Sequence, residues 1–218
     1  MIGLGLSIPQ VAVRQRFGPS SPIRGATSVF VNLAAAANIP FPVGAAVGDS
    51  LAISVGHSWP LNGLVWTGAN VGIWNLQGPN YNGLSYYGSL AAADVARGYI
   101  GFAWGGSGYG IVSLVCFRGA KTYLDSGGTR QSAGAPSRTV STAGAVAAGS
   151  TLLLMGSAYL ATDATSASLS ADLIHNPNAN ASGVCRFGLA GAAGVQSGTV
   201  DYAGAPGGDY QVIMAFAP

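Results

Sequence analysis

The sequence predicts an all-β protein built as an antiparallel β-sandwich, and three observations carry that prediction. Charged residues make up 7% of the 218-residue chain, against roughly 25% in ordinary soluble proteins. Lysine occurs once, at Lys121, and glutamate is absent. Helical surfaces are built largely from Glu, Lys, Arg and Gln, so this composition argues against a helical protein. Hydrophobic residues nevertheless reach 49%, which separates the chain from disordered sequences of low hydrophobicity and high charge. Finally, from Ala26 to Pro218 short apolar runs are divided by clusters of Gly, Pro, Asn, Asp and Ser. Gly supplies positive φ, Pro fixes φ, and Asn and Asp close local turns, so these clusters end strands.

Residues 1–25, MIGLGLSIPQVAVRQRFGPSSPIRG, read as an extended N-terminal arm. Ile2, Leu4, Leu6 and Ile8 alternate with small or polar residues at a period of two, as a strand does, and Val11 and Val13 follow before Arg14 and Arg16. Pro9, Gln10 and Arg14 interrupt the apolar run long before the about 20 residues that a membrane span needs. A secretory signal carries its positive charge ahead of the apolar region, and here both arginines come after it. Gly3, Gly5 and Pro9 disfavour a surface helix. The alternatives left are a frayed terminus and a segment that adds a strand to a partner's sheet. On the second reading Ile2, Leu4, Leu6, Ile8, Val11, Val13, Arg14 and Arg16 anchor the chain to that partner.

Residues 26–218 form the sandwich domain. The expected strands are Thr27–Leu33, Ser50–Gly56, Leu64–Val65, Val71–Leu76, Gly98–Trp104, Gly110–Phe117, Thr139–Thr142, Thr151–Tyr159, Ser166–Leu169, Val184–Leu189, Gly198–Tyr202 and Tyr210–Phe216. Gly110–Phe117 (GIVSLVCF) and Thr151–Met155 (TLLLM) are nearly continuous apolar runs, as expected in the middle of a sandwich. Only Leu90–Val95 is compatible with helix, for two turns at most.

The chain also repeats itself. GDSLAISVG from Gly48 resembles GSTLLLMGS from Gly149, VARGYIGFA from Val95 resembles VQSGTVDYA from Val195, and GGSGYGIVSLVCF resembles PGGDYQVIMAFAP, with Tyr109 set against Tyr210. The shared offset implies two pseudo-repeated halves, as in a jelly roll made of two Greek keys. Trp59–Leu90 is left as an insertion of the first half.

The composition also bounds function. With a net charge of +2 the chain has little electrostatic protection against association, which points to a homo-oligomer, a trimer or a ring, or to life inside an assembly. The eight arginines are scattered, whereas nucleic-acid binding wants clustered basic residues. Cys116 and Cys185 are compatible with a disulfide or with two buried thiols. His57 and His175 have no second His or Cys at metal-ligand spacing, so no metal or other cofactor is expected. The seven aspartates fall mostly at turns; a pair such as Asp94 with Asp201 would have to be assembled by the fold to act on a glycoside. No G-x-S-x-G is present. No catalytic residue is assigned, and the chain reads as non-enzymatic. The stretch from Ser58 to Gly88 concentrates aromatic residues among polar turns. Trp59, Trp74, Tyr81, Tyr86 and Tyr87 are its candidate contacts, to a glycan or to a subunit interface, which also favours Tyr and Trp.

Taken in order, Gly48–Leu51 (GDSL), Phe117–Gly119 (FRG) and Gly149–Leu154 (GSTLLL) resemble a β-sandwich domain of tailed-bacteriophage structural proteins. In that family a GD-x-L strand start, a Y/F-R-G strand end and a G-S-L-L-L strand recur. The opening MIGLGLSIP is similar to the short anchor peptides of phage tail and fibre proteins. The usual P-x-G-W-T is reduced here to LVWTG at Leu64–Gly68. The resemblance implies a tail, collar, fibre or capsid-surface component, assembled in the bacterial cytoplasm and carried in the virion. It would be attached to other virion proteins through residues 1–25, and would serve host adhesion or decoration and stabilisation of the particle. A stand-alone carbohydrate-binding, lectin-like module is the alternative from another class.

Overall fold

The structure, a computed structural model, describes residues 12–18, 20–32, 36–57, 65–67, 75–77, 83–103, 109–131, 136–159, 164–169, 171–177, 181–204 and 209–218. Their strands are β1 (Ala12–Arg16), β2 (Ile23–Asn32), β3 (Ala37–Pro40), β4 (Ser50–His57), β5 (Val65–Thr67), β6 (Asn75–Gln77), β7 (Gly83–Ser89), β8 (Tyr99–Ala103), β9 (Tyr109–Phe117), β10 (Tyr123–Gln131), β11 (Ser137–Ser141), β12 (Thr151–Tyr159), β13 (Ala164–Ala167), β14 (Ala171–Pro177), β15 (Ala181–Leu189), β16 (Ser197–Tyr202) and β17 (Asp209–Phe216). The single described helix, α1 (Ala92–Arg97), falls where the sequence allowed one. Asp94 accepts from the Ala91 N–H at 3.1 Å at its start, and Gly98 ends it at φ 78°.

The strands form four antiparallel sheets. Two are large, ordered β1-β2-β9-β4-β7-β6 and β10-β17-β12-β15-β14; two are small, ordered β3-β8-β5 and β11-β16-β13. Three apolar layers stack them. Leu51, Ile53 and Val55 of β4 with Val112, Leu114 and Cys116 of β9 meet Ile39, Ile100 and Phe102 of the first small sheet. On the opposite face, Ala52, Val115 and Phe117 meet Leu153, Met155, Val212, Met214 and Phe216 of the second large sheet. Leu154, Val184 and Ile213 then face Val140, Val200 and Tyr202 of the second small sheet. The order is small, large, large, small.

This stacking accounts for GIVSLVCF and TLLLM. Successive side chains of a strand point to opposite faces, and β4, β9, β12 and β17 are covered on both. Their sequences are therefore largely apolar rather than alternating, with Ser54, Ser113 and Gln211 among the buried polar exceptions. A fully buried apolar side chain contributes about 1.5–3 kcal/mol, and the central layer adds aromatic contacts. Phe117 and Phe216 lie 4.7 Å apart between centroids with their planes at 55°, and Tyr87 packs on Phe216 at 5.3 Å.

The two halves, β2–β9 and β10–β17, have one topology. Counting strands from one to eight in each, the large sheet reads 1-8-3-6-5 and the small sheet 2-7-4 in both. Irregularities recur as well. The first strand is bulged between Ile23 and Gly25 in one half and between Tyr123 and Asp125 in the other. Gly48 and Gly149 turn at φ 82° and 79° ahead of the third strand, a left-handed conformation that glycine reaches without strain. Register corrects two sequence expectations. Ser50 lies opposite Phe117 and Thr151 opposite Phe216, so Phe117 matches Phe216 and Tyr109 does not match Tyr210. Nor is Trp59–Leu90 an insertion, because it contains β5, β6 and β7, whose counterparts are β13, β14 and β15.

Strand pairing runs across the expected boundary after residue 25. Ala12–Arg16 pair with β2 in regular register, Ala12 opposite Val29 and Arg16 opposite Gly25, and β2 itself begins at Ile23. β1 is therefore a strand of the first large sheet; residues 1–11 lie outside the described residues.

Candidate functional site

The motif residues of the first half meet at one corner. The turn at Gly48 places Asp49 under the end of β9, where its carboxylate is 2% exposed. It accepts from Arg24 Nη2 at 3.0 Å and from Arg24 Nε, from the Ala46 N–H at 2.9 Å, and from the Gly119 N–H at 2.8 Å. Burial works to raise the Asp49 pKa, but the hydrogen bonds from Arg24, Gly119 and Ala46 outweigh it, and the carboxyl is held below its usual range. Arg24 is raised in return, chiefly by its hydrogen bond to Asp49. Next to it, Arg118 donates from Nε to the Ser21 carbonyl at 2.8 Å and from Nη2 to the carbonyls of Phe17 and Gly18, each at 3.0 Å. Arg118 thus fastens the connection between β1 and β2 while Arg24 ties β2 to the turn before β4, and the GD-x-L and F-R-G likenesses locate a structural corner.

The second half keeps the backbone of this corner and loses its charges. The Arg118 N–H donates to the Pro22 carbonyl, and the Ala217 N–H to that of Thr122, both at 2.8 Å. Leu124 stands where Arg24 does, Ser150 where Asp49 does, and Ala217 where Arg118 does. The edges differ in step. β1 covers the outer edge of β2, whereas among the described residues no strand pairs with the outer edge of β10. Leu124 is 43% exposed there. Beside it lies an open hollow of 470 Å³ lined by Leu124, Asp125 and the turn Ala143–Ala147.

Only some of the residues singled out from sequence are among the described residues. Ile2, Leu4, Leu6, Ile8 and Val11, together with Trp59, Trp74 and Tyr81, lie outside the described residues. Val13 and Arg14 are opposite Ser28 and Thr27 on β1, and Arg16 at its end is exposed. Tyr86 and Tyr87 do not share a surface. As neighbours on β7 they point to opposite faces: Tyr86 packs under the first small sheet, where burial pushes its hydroxyl up to about 12. Tyr87 packs in the central layer, with its hydroxyl 3.0 Å from Ser50 Oγ and donating to the Lys121 carbonyl. Both are half-buried packing residues, because the apolar faces of β7 need covering on each side.

Other polar side chains serve the frame. Asp94 belongs to α1 in the first half, and Asp201 accepts from Ser137 at 2.6 Å on the second small sheet, so they form no pair. Arg97 binds Asp94 at 2.7 Å. Arg138 binds Asp209 at 3.0 Å, where burial outweighs the arginine and raises the carboxyl pKa. Lys121 donates to the Ala217 carbonyl and Arg186 to that of Leu169. Cys116 and Cys185 are free and buried, in the first and central layers respectively. Among the described residues no group of three or more His, Cys, Asp or Glu could hold a metal ion, and no helix is long and apolar enough to cross a membrane. Sequence reasoning took Asp49 for a turn residue and passed over Arg24. Their opposite charges, in a chain with so few, were the available signal.

No family model, curated protein or solved structure matches this chain.

Proposed function

We propose that this chain is a structural, non-enzymatic component of a bacteriophage particle, of the tail, collar, fibre or head surface, working by assembly rather than by chemistry. One observation carries the reading most of the way. Arg24, Arg97, Arg118, Lys121, Arg138 and Arg186 all donate to carboxylates or carbonyls of their own chain. Six of the nine basic residues thus serve the frame, and most exposed positions among the described residues carry small neutral side chains. Such a surface offers little resistance to association. The nested order within each half, first strand beside eighth and second beside seventh, is the wrapping of a jelly roll with its fifth strand moved to the larger sheet. The likeness of Gly48–Leu51, Phe117–Gly119 and Gly149–Leu154 to phage sandwich domains supplies the particle.

Decoration or stabilisation of the particle is favoured over host adhesion, because Tyr86 and Tyr87 are engaged in packing. An antibody raised against the recombinant chain tests the proposal on particles purified from cultures of the source. Labelling at a fixed position on the particles is expected. Reactivity confined to unassembled protein would overturn the assignment.

A further inference from the structure

We propose that the open edge of β10 is filled by residues 2–8 of a second copy of this chain, added as an antiparallel strand where β1 sits in the other half. The inference rests on the assembly reading above and goes beyond it by naming both surfaces. The two halves agree in strand order, bulge position and turn conformation, so each site in one half has a counterpart in the other. β1 sits on β2, and the matching place on β10 is vacant among the described residues. The backbone groups that β2 satisfies through β1 face outwards there, which makes β10 a template for strand addition.

The occupant is argued from what precedes β1. Ile2, Leu4, Leu6 and Ile8 alternate at the strand period and carry no charge. Set in the register of β1, Ile8 falls opposite Asp125, Leu6 opposite Gly127 and Leu4 opposite Thr129, as Arg16, Arg14 and Ala12 fall opposite Gly25, Thr27 and Val29. In the first half the Arg16 side chain approaches the turn at Gly44, its Nε 3.9 Å from where a Cβ would stand. The counterpart of that turn is Ala143–Ala147, which with Leu124 lines the 470 Å³ hollow. Ile8 would enter the hollow lined by Leu124, Asp125 and the turn Ala143–Ala147, where the first half has Arg16 beside Gly44.

The donor belongs to another copy because of distance. β1 packs over β14 at one edge of the stack, and a strand outside β10 is five positions away in the second large sheet. At about 4.8 Å per position that is about 24 Å. With residues 2–8 in the added strand, the four steps from Ile8 to Ala12 reach about 14 Å. Donor and acceptor lie on different surfaces, so the contact either closes as a reciprocal exchange between two copies or continues head-to-tail into a ring or a filament.

Mixing Gly5→Cys chains with Gly128→Cys chains under mild oxidation tests the register, since residues 5 and 128 would be opposite one another. Cys116 and Cys185 are fully buried and do not compete. A disulfide requires Cα atoms within about 7 Å, so at least about tenfold more linked dimer is expected than from Gly5→Cys mixed with Gly191→Cys. Light scattering of the full chain should show multimers, and the chain lacking residues 2–11 should be monomeric and bind a peptide of residues 1–11 one to one. Linking at the control level, or multimers of unchanged mass after the deletion, would each overturn strand exchange. Those results would leave the particle assignment standing, whereas failure to label particles would overturn that assignment alone.

Discussion

Replacing Asp49 by Asn probes the corner that ties β2 to the turn before β4 and to the end of β9. The carboxylate accepts five hydrogen bonds, two of them from Arg24 and one from the Cys116 thiol, and its side chain is 2% exposed while that of Arg24 is 25% exposed. Removing one member of a buried ion pair costs 3–5 kcal/mol when the other is stranded; Arg24 reaches solvent and Gly119 is exposed, so about 2–4 kcal/mol is expected. With a urea slope of about 2 kcal/mol per molar, the midpoint of unfolding followed by tryptophan fluorescence should fall by about 1–2 M. The pH dependence gives the sign independently. The folded-state pKa of Asp49 lies below its ordinary 3.8, so its stabilisation is complete above that value and is lost as pH falls through the lowered one. The wild-type advantage over Asp49→Asn should therefore grow from acid to neutral pH. Ser150→Ala is the control: its hydroxyl is buried without a protein partner, and its loss should change stability by less than about 1 kcal/mol. Equal midpoints for wild type and Asp49→Asn at neutral pH, or a pH-independent difference, would refute the reasoning.

Three further outcomes are expected. Asp209 has the opposite sign: burial raises its folded-state pKa, so the stability of wild type relative to Asp209→Asn should fall as pH rises across the carboxylate range, read by thermal melts at stepped pH. Gly127→Ala places a Cβ 1.6 Å from the Ser141 carbonyl oxygen; backbone cannot yield there as a side-chain tip would, and a loss of about 3 kcal/mol or of soluble protein is expected on expression. Cys185, which burial pushes up to about 12, and Cys116 beside it in protection should resist iodoacetamide at about pH 8 in the folded chain and react with it once unfolded, as intact-mass measurement would show.

The strand class was legible because composition excludes helical surfaces and because β9 and β12 are apolar on both faces. The same runs could not reveal how many layers cover them: a strand in the middle of one sandwich and a strand shared by two stacked sheets have the same sequence. The repeat was visible in the turn at Gly48 and Gly149, where backbone conformation demands glycine. It was misaligned at Tyr109 and Tyr210, where an aromatic coincidence outweighed register. β5, β6 and β7 escaped as a repeated unit because the halves share strand order there without a sequence match. Tyr86 and Tyr87 read as surface aromatics because they stand among polar turn residues, and only the covering of β7 on both faces shows them to be packing groups. The asymmetry between the charged corner and the open edge of β10 follows from Leu124 and Ser150 occupying the places of Arg24 and Asp49, a comparison that needs the structural alignment first.

The central claim is the stack of four sheets made by two equivalent halves placed back to back. Spin labels at Asn38→Cys on β3 and Thr139→Cys on β11, both exposed positions, measure it directly by pulsed electron paramagnetic resonance. Three inter-sheet spacings of about 10 Å predict a separation of at least about 30 Å. A dominant distance below about 20 Å would place the two small sheets side by side or against each other, and would contradict the stack.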